Sequence, residues 1–199
     1  MKLIHYNSPD TLPESSVITV GSFDGVHLGH QALLQQVKNF AQQHQYQSVI
    51  ITFDPHPQQV LQSKSNFFLI NSFEQKIILF ETLGIDTVFV IPFTQELAQT
   101  SALQFFQEYV FSKINVRAIF MGPNHHFGKQ REGNANTLNS ICEEKRIRVI
   151  LAQEFKMDDN KVRSTLIRNC LEQNDWATAE KLLGHDLYLK FKDLKIKVQ

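Results

Sequence analysis

Apolar residues recur along this chain in two alternating patterns. Short apolar runs rich in β-branched residues are typical of buried parallel strands, and they occupy 17–20, 48–53, 88–91, 118–121 and 148–152. Between these runs, apolar residues recur every three or four positions, which predicts helices at 29–45, 72–84, 101–114 and 136–145, with two more starting near 164 and 175. The alternation predicts an α/β fold with a parallel five-stranded sheet and helices on both faces. Residues 2–6 are a candidate short edge strand.

Polar residues indicate where some of these helices begin and end. Ser72 with Gln75, and Ser101 with Gln104, have the spacing of a capping box. In the helix at 101–114, a stripe of apolar residues at helical spacing is expected to face the core: Leu103, Phe106, Val110 and Ile114. In the last helix, the residues expected to point inward are Trp176, Ala179, Leu182 and Leu183. Residues 7–16 and 157–161 are predicted to be polar connections.

The strand at 17–20 is followed by GSFDGVHLGH, which leads into the first predicted helix. His27 and His30 are three residues apart, so at the start of that helix both side chains would face the same way. A helix N-terminus offers unpaired N–H groups and partial positive charge, which suit a phosphate. One histidine in this position is more often structural. Two at this spacing, directly after a buried strand, favour a functional site.

The strand at 48–53 ends at Asp54-Pro55-His56-Pro57, where the prolines favour a stiff, extended loop. Open α/β sheets hold ligands at the carboxyl ends of their strands, although this loop could equally be a plain strand terminator. Residues 63–71, polar and then aromatic, are either a short core segment or a loop that covers a ligand.

Two later stretches also carry polar groups. Residues 122–133 form a glycine-flanked loop after a strand, with His125 and His126 adjacent. Adjacent side chains diverge and no Cys or carboxylate lies at ligand spacing, so a zinc site is disfavoured. Further on, Ser164, Thr165 and Arg168 could converge on one anion, or the first two could simply cap a helix.

Composition narrows the class of protein. The chain has 199 residues, 42% hydrophobic and 20% charged, with a net charge of zero, so nothing favours a nucleic-acid or membrane partner. Cys142 and Cys170 form no metal or disulfide pattern, which favours a reducing, cytoplasmic location. We find no secretory signal and no apolar run of about 20 residues that could span a membrane.

Four motifs resemble one family in the same order along the chain. HLGH in GSFDGVHLGH resembles the H-x-G-H signature of the nucleotidyltransferase superfamily, and TFDPHP resembles a second signature of its FMN adenylyltransferase (FAD synthetase) branch. The loop with Asn124, Phe127, Gly128, Arg131 and Gly133 resembles the family's G-x-(D/N)-F-x-F-G-x-x-R-x-G loop, with His125 in place of an aromatic residue. STLIR resembles I-S-S-T-x-x-R, with Arg163 in place of the first serine. This family includes the bacterial bifunctional riboflavin kinase/FAD synthetases.

The resemblance implies a Rossmann-like fold of HUP type and the reaction ATP + FMN → FAD + pyrophosphate. It implies that the catalytic residues are His27, His30, Ser164, Thr165 and Arg168. The residues implied on the ATP side are Gly21, Phe23, Asp24, Gly29 and Asn124. Those implied on the flavin side are Phe53, Pro55, His56, Pro57 and Asn124. Mg²⁺ is expected because the leaving pyrophosphate carries several charges, with few if any protein ligands.

The resemblance covers residues 1–185, while 186–199 form a short tail where bifunctional members begin a riboflavin kinase barrel. A separate riboflavin kinase is then a partner that would supply FMN. Two alternatives remain open from the residues. The chain could be a sibling nucleotidyltransferase acting on another phosphorylated acceptor, or a non-catalytic protein that binds flavin or nucleotide.

Overall fold

The protein is described by a computed structural model that covers residues 1–61, 67–123, 125–157 and 160–187. The predictions made for Asn124, for residues 63–66 and for most of the tail lie outside these described residues.

The central sheet has six parallel strands: β1 Lys2–His5, β2 Leu12–Val20, β3 Gln47–Phe53, β4 Thr87–Ile91, β5 Ile114–Met121 and β6 Arg148–Leu151. They lie in the order β1-β4-β3-β2-β5-β6. The five predicted strands are all present. The count is six rather than five because the candidate edge strand pairs with β4. A small antiparallel hairpin is formed by β7 Lys156–Met157 and β8 Asn160–Lys161. It lies where a polar connection is predicted over residues 157–161.

The helices are α1 Leu28–His44, α2 Pro57–Leu61, α3 Phe73–Thr82, α4 Gln95–Ala98, α5 Ala102–Gln104, α6 Ala135–Glu143, α7 Ser164–Glu172 and α8 Trp176–Leu183. The capping box of α3 is confirmed, since Ser72 and Gln75 bond each other's backbone N–H. Gly84, which follows α3, has φ +74°, a conformation that favours glycine.

The helix predicted over 101–114 is wrong in its second half. Ser101 caps Gln104 as expected, but α5 continues as a π-helix over Phe105–Phe111. Three of the four residues expected to face the core, Phe106, Val110 and Ile114, are buried in one cluster, although Ile114 belongs to β5. Only Leu103 departs from that expectation, at 48% exposure. A π-helix has a wider turn than the 3–4 spacing assumes.

One strand boundary and one expected core residue also differ from the predictions. β2 begins at Leu12 rather than at residue 17, because Leu12 pairs with Ile114 and Ser16 with Val116 across a register shift. Trp176 is 46% exposed although Ala179 and Leu183 are fully buried. It is the first residue of α8 and lies at the end of the buried stripe.

The core lies on both faces of the sheet. Val49 packs in a cluster with Phe106 and Ile119, whereas its neighbour Ile50 packs in a second cluster with Leu34 and Phe80. Successive strand side chains point to opposite faces, so the apolar runs without alternation reflect strands buried on both sides.

Because the six strands are parallel, the loops that follow them emerge at one edge of the sheet. The segments after β2, β3 and β5 carry many of the predicted site residues, whereas Ser164, Thr165 and Arg168 lie on α7. Within the described ranges, none of the helices has the length and apolar character that crossing a bilayer requires.

Candidate functional site

His27 and His30 form a stacked pair at the start of α1. Their ring centroids are 3.6 Å apart and the rings are nearly parallel, at 13°. His27 is the N-cap residue, and its Nδ1 accepts a hydrogen bond from the His30 backbone N–H at 3.2 Å. An imidazole that accepts at Nδ1 carries its proton on Nε2 when neutral, so His27 keeps one donor for a ligand.

Burial keeps both rings neutral. Desolvation lowers the pKa of His27 to about 4. The pKa of His30 lies well below its ordinary value because of desolvation and repulsion from the charge that His27 would carry. The Nδ1 of His30 is buried and has no hydrogen-bond partner among the described residues. At neutral pH the pair can therefore donate hydrogen bonds to a ligand without carrying positive charge.

Gly29 brings the start of α1 close to the segment before α7. A Cβ at this position would lie 3.2 Å from the His27 ring and 3.3 Å from the Val162 carbonyl oxygen. Both distances are tighter than ordinary contacts, so the absent side chain allows this approach. The H-x-G-H motif and the later Ser-Thr-Arg motif consequently meet, as predicted.

Gly21 and Phe23 lie beside the histidine pair, on its core side. A Cβ at Gly21 would lie 3.1 Å from the Phe23 ring. Phe23 is 3% exposed, and its ring packs edge-on against His30 and Phe80, with centroids at 5.2 and 5.8 Å. The Phe23 side chain thus orients His30 within the core.

Asp24 joins three segments of the site. Its backbone oxygen accepts from the Ser164 hydroxyl at 2.8 Å, and its buried carboxylate forms an ion pair with Arg168. The carboxylate also accepts from the Ile70 and Asn71 backbone N–H groups at 3.1 and 3.5 Å. Burial raises the pKa of Asp24, while the Arg168 guanidinium opposes that rise.

Ser164 and Arg168 therefore converge on one residue rather than on one anion: the Ser164 hydroxyl donates to the Asp24 backbone carbonyl, and Arg168 pairs with the Asp24 carboxylate. Thr165 is exposed beside them. The prediction that Ser164 caps α7 is wrong. Arg163 is the N-cap residue and makes no side-chain capping bond, while Ser164 and Thr165 lie inside the helix and the Ser164 hydroxyl donates to the Asp24 backbone oxygen.

The prediction of an extended loop after β3 is wrong, since the chain bends at Asp54 and Pro55 and Pro57 already begins the short helix α2. The Asp54-Pro55 peptide is cis. His56 is 9% exposed, and burial lowers its pKa to about 4. Phe53 is half-buried, with its ring centroid 5.6 Å from that of Phe93.

Residues 67–71, which we call the aromatic segment, connect this loop to α7. The Phe67 ring stacks on His56 with centroids 4.9 Å apart. The Arg168 guanidinium lies 4.6 Å from the centre of the same ring, and Arg168 Nε donates to the Phe68 oxygen at 2.9 Å. One arginine thereby holds both Asp24 and the aromatic segment.

The loop after β5 depends on its glycines. Phe127 and Gly133 exchange backbone hydrogen bonds of 3.2 and 2.9 Å, and a Cβ at Gly133 would lie 2.6 Å from the Phe127 ring. Gly128 has φ +73° and packs against the Ala102 backbone. His125, at the position of an aromatic residue in the family motif, lies near enough to His30 to help lower its pKa.

Two buried polar residues near this site, Asn71 and Lys76, are not predicted by any motif in the sequence. Lys76 Nζ donates to the Ser22 oxygen at 3.2 Å and to the Thr52 hydroxyl at 3.1 Å. Burial lowers the pKa of Lys76 to about 8, against the opposing pull of Asp24 and then Asp54. The one sequence feature that indicates an inward-facing Lys76 is its position directly before the apolar run Ile77–Leu79.

The donor set does not form a metal cage. Among the described residues, no group of three or more His, Cys, Asp or Glu side chains could hold a metal ion, and the Asp24 carboxylate is engaged by Arg168.

Comparisons with known proteins agree on the family. Residues 10–166 match the family described as FAD synthetase. The chain is 32% identical over 195 residues to a bifunctional riboflavin kinase/FMN adenylyltransferase of Bacillus subtilis, covering 96% of this chain and 61% of the relative. A protein of the same description from Buchnera aphidicola (subsp. Schizaphis graminum) is 32% identical over 186 residues, covering 92% and 60%. The chain thus spans about three fifths of the length of these curated relatives.

Solved structures agree on the fold. A Streptococcus pneumoniae protein described as a macrolide-efflux protein superposes with a TM-score of 0.82 at 26% identity, over 94% of this chain and 61% of that one. A pantoate-beta-alanine ligase from Francisella tularensis, at 12% identity and a TM-score of 0.52 over 91% and 74% of the two chains, shares the fold alone.

Proposed function

Because this chain belongs to the FAD synthetase family, we propose that it transfers the adenylyl group of ATP to FMN, giving FAD and pyrophosphate. The observation that carries this proposal is the stacked pair His27 and His30 at the N-terminus of α1, packed through Gly29 against the segment that leads into Ser164 and Arg168. This arrangement supports the proposal, because groups of a kind that suits a phosphate come from two distant parts of the chain.

Adenylyl transfer requires the protein mainly to position the two substrates and to stabilise the charge that develops. An oxygen of the FMN phosphate attacks the α-phosphorus of ATP, a new P–O bond forms, and the bond to the β-phosphate oxygen breaks as pyrophosphate leaves. The nucleophile is already an anion, so no general base is required. Neutral His27 donates from Nε2 to the α-phosphate oxygens as charge develops there, and His30 and the first N–H groups of α1 assist.

Ser164, Thr165 and Arg168 are proposed to hold the β- and γ-phosphates. In the structure Arg168 is paired with Asp24, so binding a triphosphate requires the guanidinium to turn towards, or to share, a second anion. Thr165 is exposed and can reach a phosphate without such a change.

The remaining predicted residues are assigned to the two substrate sides. Gly21, Phe23, Asp24 and Gly29 shape the ATP side, with Phe23 acting through His30. Phe53, Pro55, His56 and Pro57 shape the flavin side, closed by the aromatic segment. Asn124 remains a predicted ligand of a nucleotide or flavin phosphate.

Mg²⁺ is proposed to arrive with ATP. The described residues offer no cluster of metal ligands, whereas the phosphates themselves are ligands that Mg²⁺ prefers. The ion would neutralise charge on the departing pyrophosphate. We further propose that FMN comes from a separate riboflavin kinase and that the location is cytoplasmic, as the sequence predicts.

The direct test is to incubate the purified chain with ATP, Mg²⁺ and FMN and to measure FAD and pyrophosphate by chromatography. Stoichiometric formation of both supports the proposal. If FAD does not form but another phosphorylated acceptor, such as nicotinamide mononucleotide or phosphopantetheine, is adenylylated, the chain is a sibling nucleotidyltransferase. Tight FMN or ATP binding without pyrophosphate release would identify a non-catalytic binding protein.

A further inference from the structure

A small opening between the loop after β3 and the aromatic segment contains two buried polar side chains that the roles above do not use. Asn71 is 4% exposed and Lys76 is 6% exposed. Both line this opening, which we call the polar pocket, and its other lining residues are Asp24, Phe53, Asp54, His56, Leu69 and Phe73.

Asn71 is the unusual member of the polar pocket. Neither the oxygen nor the nitrogen of its amide has a hydrogen-bond partner among the described residues. A buried amide without partners costs free energy that the fold does not recover. Such a group is explained when a ligand supplies the missing bonds.

The pocket offers a definite set of hydrogen-bonding groups. The Asn71 amide provides one acceptor and one donor side by side. The Lys76 ammonium has three protons, and two of them are used by Ser22 and Thr52, which leaves one donor. A ligand edge with an acceptor, a donor and a second acceptor would satisfy all three groups.

The charge of the pocket excludes one obvious ligand. A buried lysine could suggest a phosphate, but the carboxylates of Asp24 and Asp54 line the same opening and would repel it. Two aromatic side chains, Phe53 and Phe73, form part of the lining instead. The pocket therefore suits a neutral, planar, hydrogen-bonding edge.

We propose that the polar pocket binds the imide edge of the flavin ring, with the Asn71 amide pairing to the N3–H and one carbonyl and Lys76 donating to the other carbonyl. This inference rests on the proposed use of FMN as the acceptor. It makes Asn71 a specificity-determining residue that distinguishes a flavin from other phosphorylated acceptors, because sites built on paired hydrogen bonds reject ligands that lack them.

The test measures flavin binding separately from turnover. The dissociation constants of FMN and N3-methyl-FMN are measured by flavin fluorescence for the wild type, for Asn71→Leu, and for the control Asn139→Leu, whose asparagine is exposed on α6. The wild type and the control should bind FMN about tenfold or more tightly than N3-methyl-FMN. Asn71→Leu should bind FMN about tenfold more weakly and no longer distinguish the two flavins.

Thermal melting separates this role from a structural one. Since Asn71 makes no side-chain hydrogen bond in the described structure, Asn71→Leu should melt at or above the wild-type temperature. Equal wild-type affinity for both flavins, or unchanged FMN binding in Asn71→Leu, would overturn the inference. Riboflavin, which lacks the phosphate, is a further probe. Equal riboflavin affinity in the wild type and in Asn71→Leu would also overturn the inference.

The test can reject this inference without rejecting the proposed function, and the reverse. FAD formation with no effect of Asn71→Leu on FMN affinity would reject this inference and keep the proposed reaction. FMN binding that depends on N3–H and Asn71, without FAD formation, would support the pocket and reject the reaction. A second variant, Lys76→Met, should weaken FMN binding by a similar factor and thereby check the third hydrogen bond.

Discussion

His27 has two roles that depend on different nitrogens of one ring. Nδ1 accepts from the His30 backbone and caps α1, and Nε2 is left to donate to a phosphate. An alanine at this position would remove both roles at once. A side chain that caps the helix but lacks the imidazole can separate them, since asparagine is among the best N-cap residues.

We predict that His27→Ala and His27→Asn both lower kcat roughly 10²-fold, because each removes a transition-state donor. Only His27→Ala should also lose stability, by about 1 kcal/mol. Steady-state FAD formation and urea unfolding measure the two effects. Near-normal turnover in His27→Asn would contradict the catalytic role, and equal stability losses would contradict the capping role.

Gly29 is predicted to be intolerant of even a methyl group. In Gly29→Ala the new Cβ would press on the His27 ring and the Val162 oxygen, displacing either the imidazole or the approach to α7. A shift of this kind can cost up to about 10²-fold in rate. Gly122→Ala is the matched control, since a Cβ there meets nothing within 4 Å. FAD synthesis at saturating ATP should fall only in the first variant.

At the scale of elements, the sequence predicted what depends on local pattern and missed what depends on packing. The apolar runs identified five of the six sheet strands, and Ser72 identified the start of α3. The π-helix over Phe105–Phe111 has no signal in a 3–4 periodicity, because its wider turn changes the register of the same aromatic residues.

The site was predictable to the same degree. The histidine pair and Gly29 stand in one motif and Arg168 in another, and the structure connects the two motifs through Gly29 with Val162 and through Asp24 with Arg168. Asn71 and Lys76 stand in no motif. They are recognisable only when folding places two polar side chains in the interior beside each other.

The pair Asp24–Arg168 connects the loop after β2 to α7, and we predict that Asp24→Asn destabilises the protein by roughly 3 kcal/mol, because it leaves a largely buried guanidinium without its counter-ion. The control is Lys161→Met, which removes the more exposed ion pair with Glu154 and should cost below about 1 kcal/mol. Urea midpoints compare the two variants. Similar losses would show that the buried pair does not hold these elements together.

At the scale of the whole molecule, parallel topology is what gathers distant motifs. β2, β3 and β5 are separated by up to a hundred residues in sequence, yet they all end at one edge of one sheet. The loops that follow them therefore lie close together without any local signal for that contact. The same convergence buries several imidazoles in one region, and it therefore makes the free energy of unfolding depend on pH.

Burial holds the pKa of His27 and of His56 at about 4 in the folded protein, whereas both would titrate near 6.5 in the unfolded chain. Between these values the unfolded state binds more protons, so the free energy of unfolding must fall as the pH is lowered from about 6.5 towards 4. Each histidine contributes a slope of up to about 1.4 kcal/mol per pH unit. Asp24, whose pKa is raised by burial, binds its proton more readily in the folded state and therefore opposes this trend.

We predict that the urea midpoint of the substrate-free protein, followed by circular dichroism, is lower at pH 5 than at pH 7. His56→Gln should show a shallower dependence than the wild type over the same range, because one buried imidazole no longer takes up a proton on unfolding. Its ring also stacks on Phe67, so the variant can be less stable at pH 7. The slope with pH, rather than the absolute midpoint, is therefore the informative quantity, and identical slopes in both proteins would refute the assignment of a depressed pKa to His56.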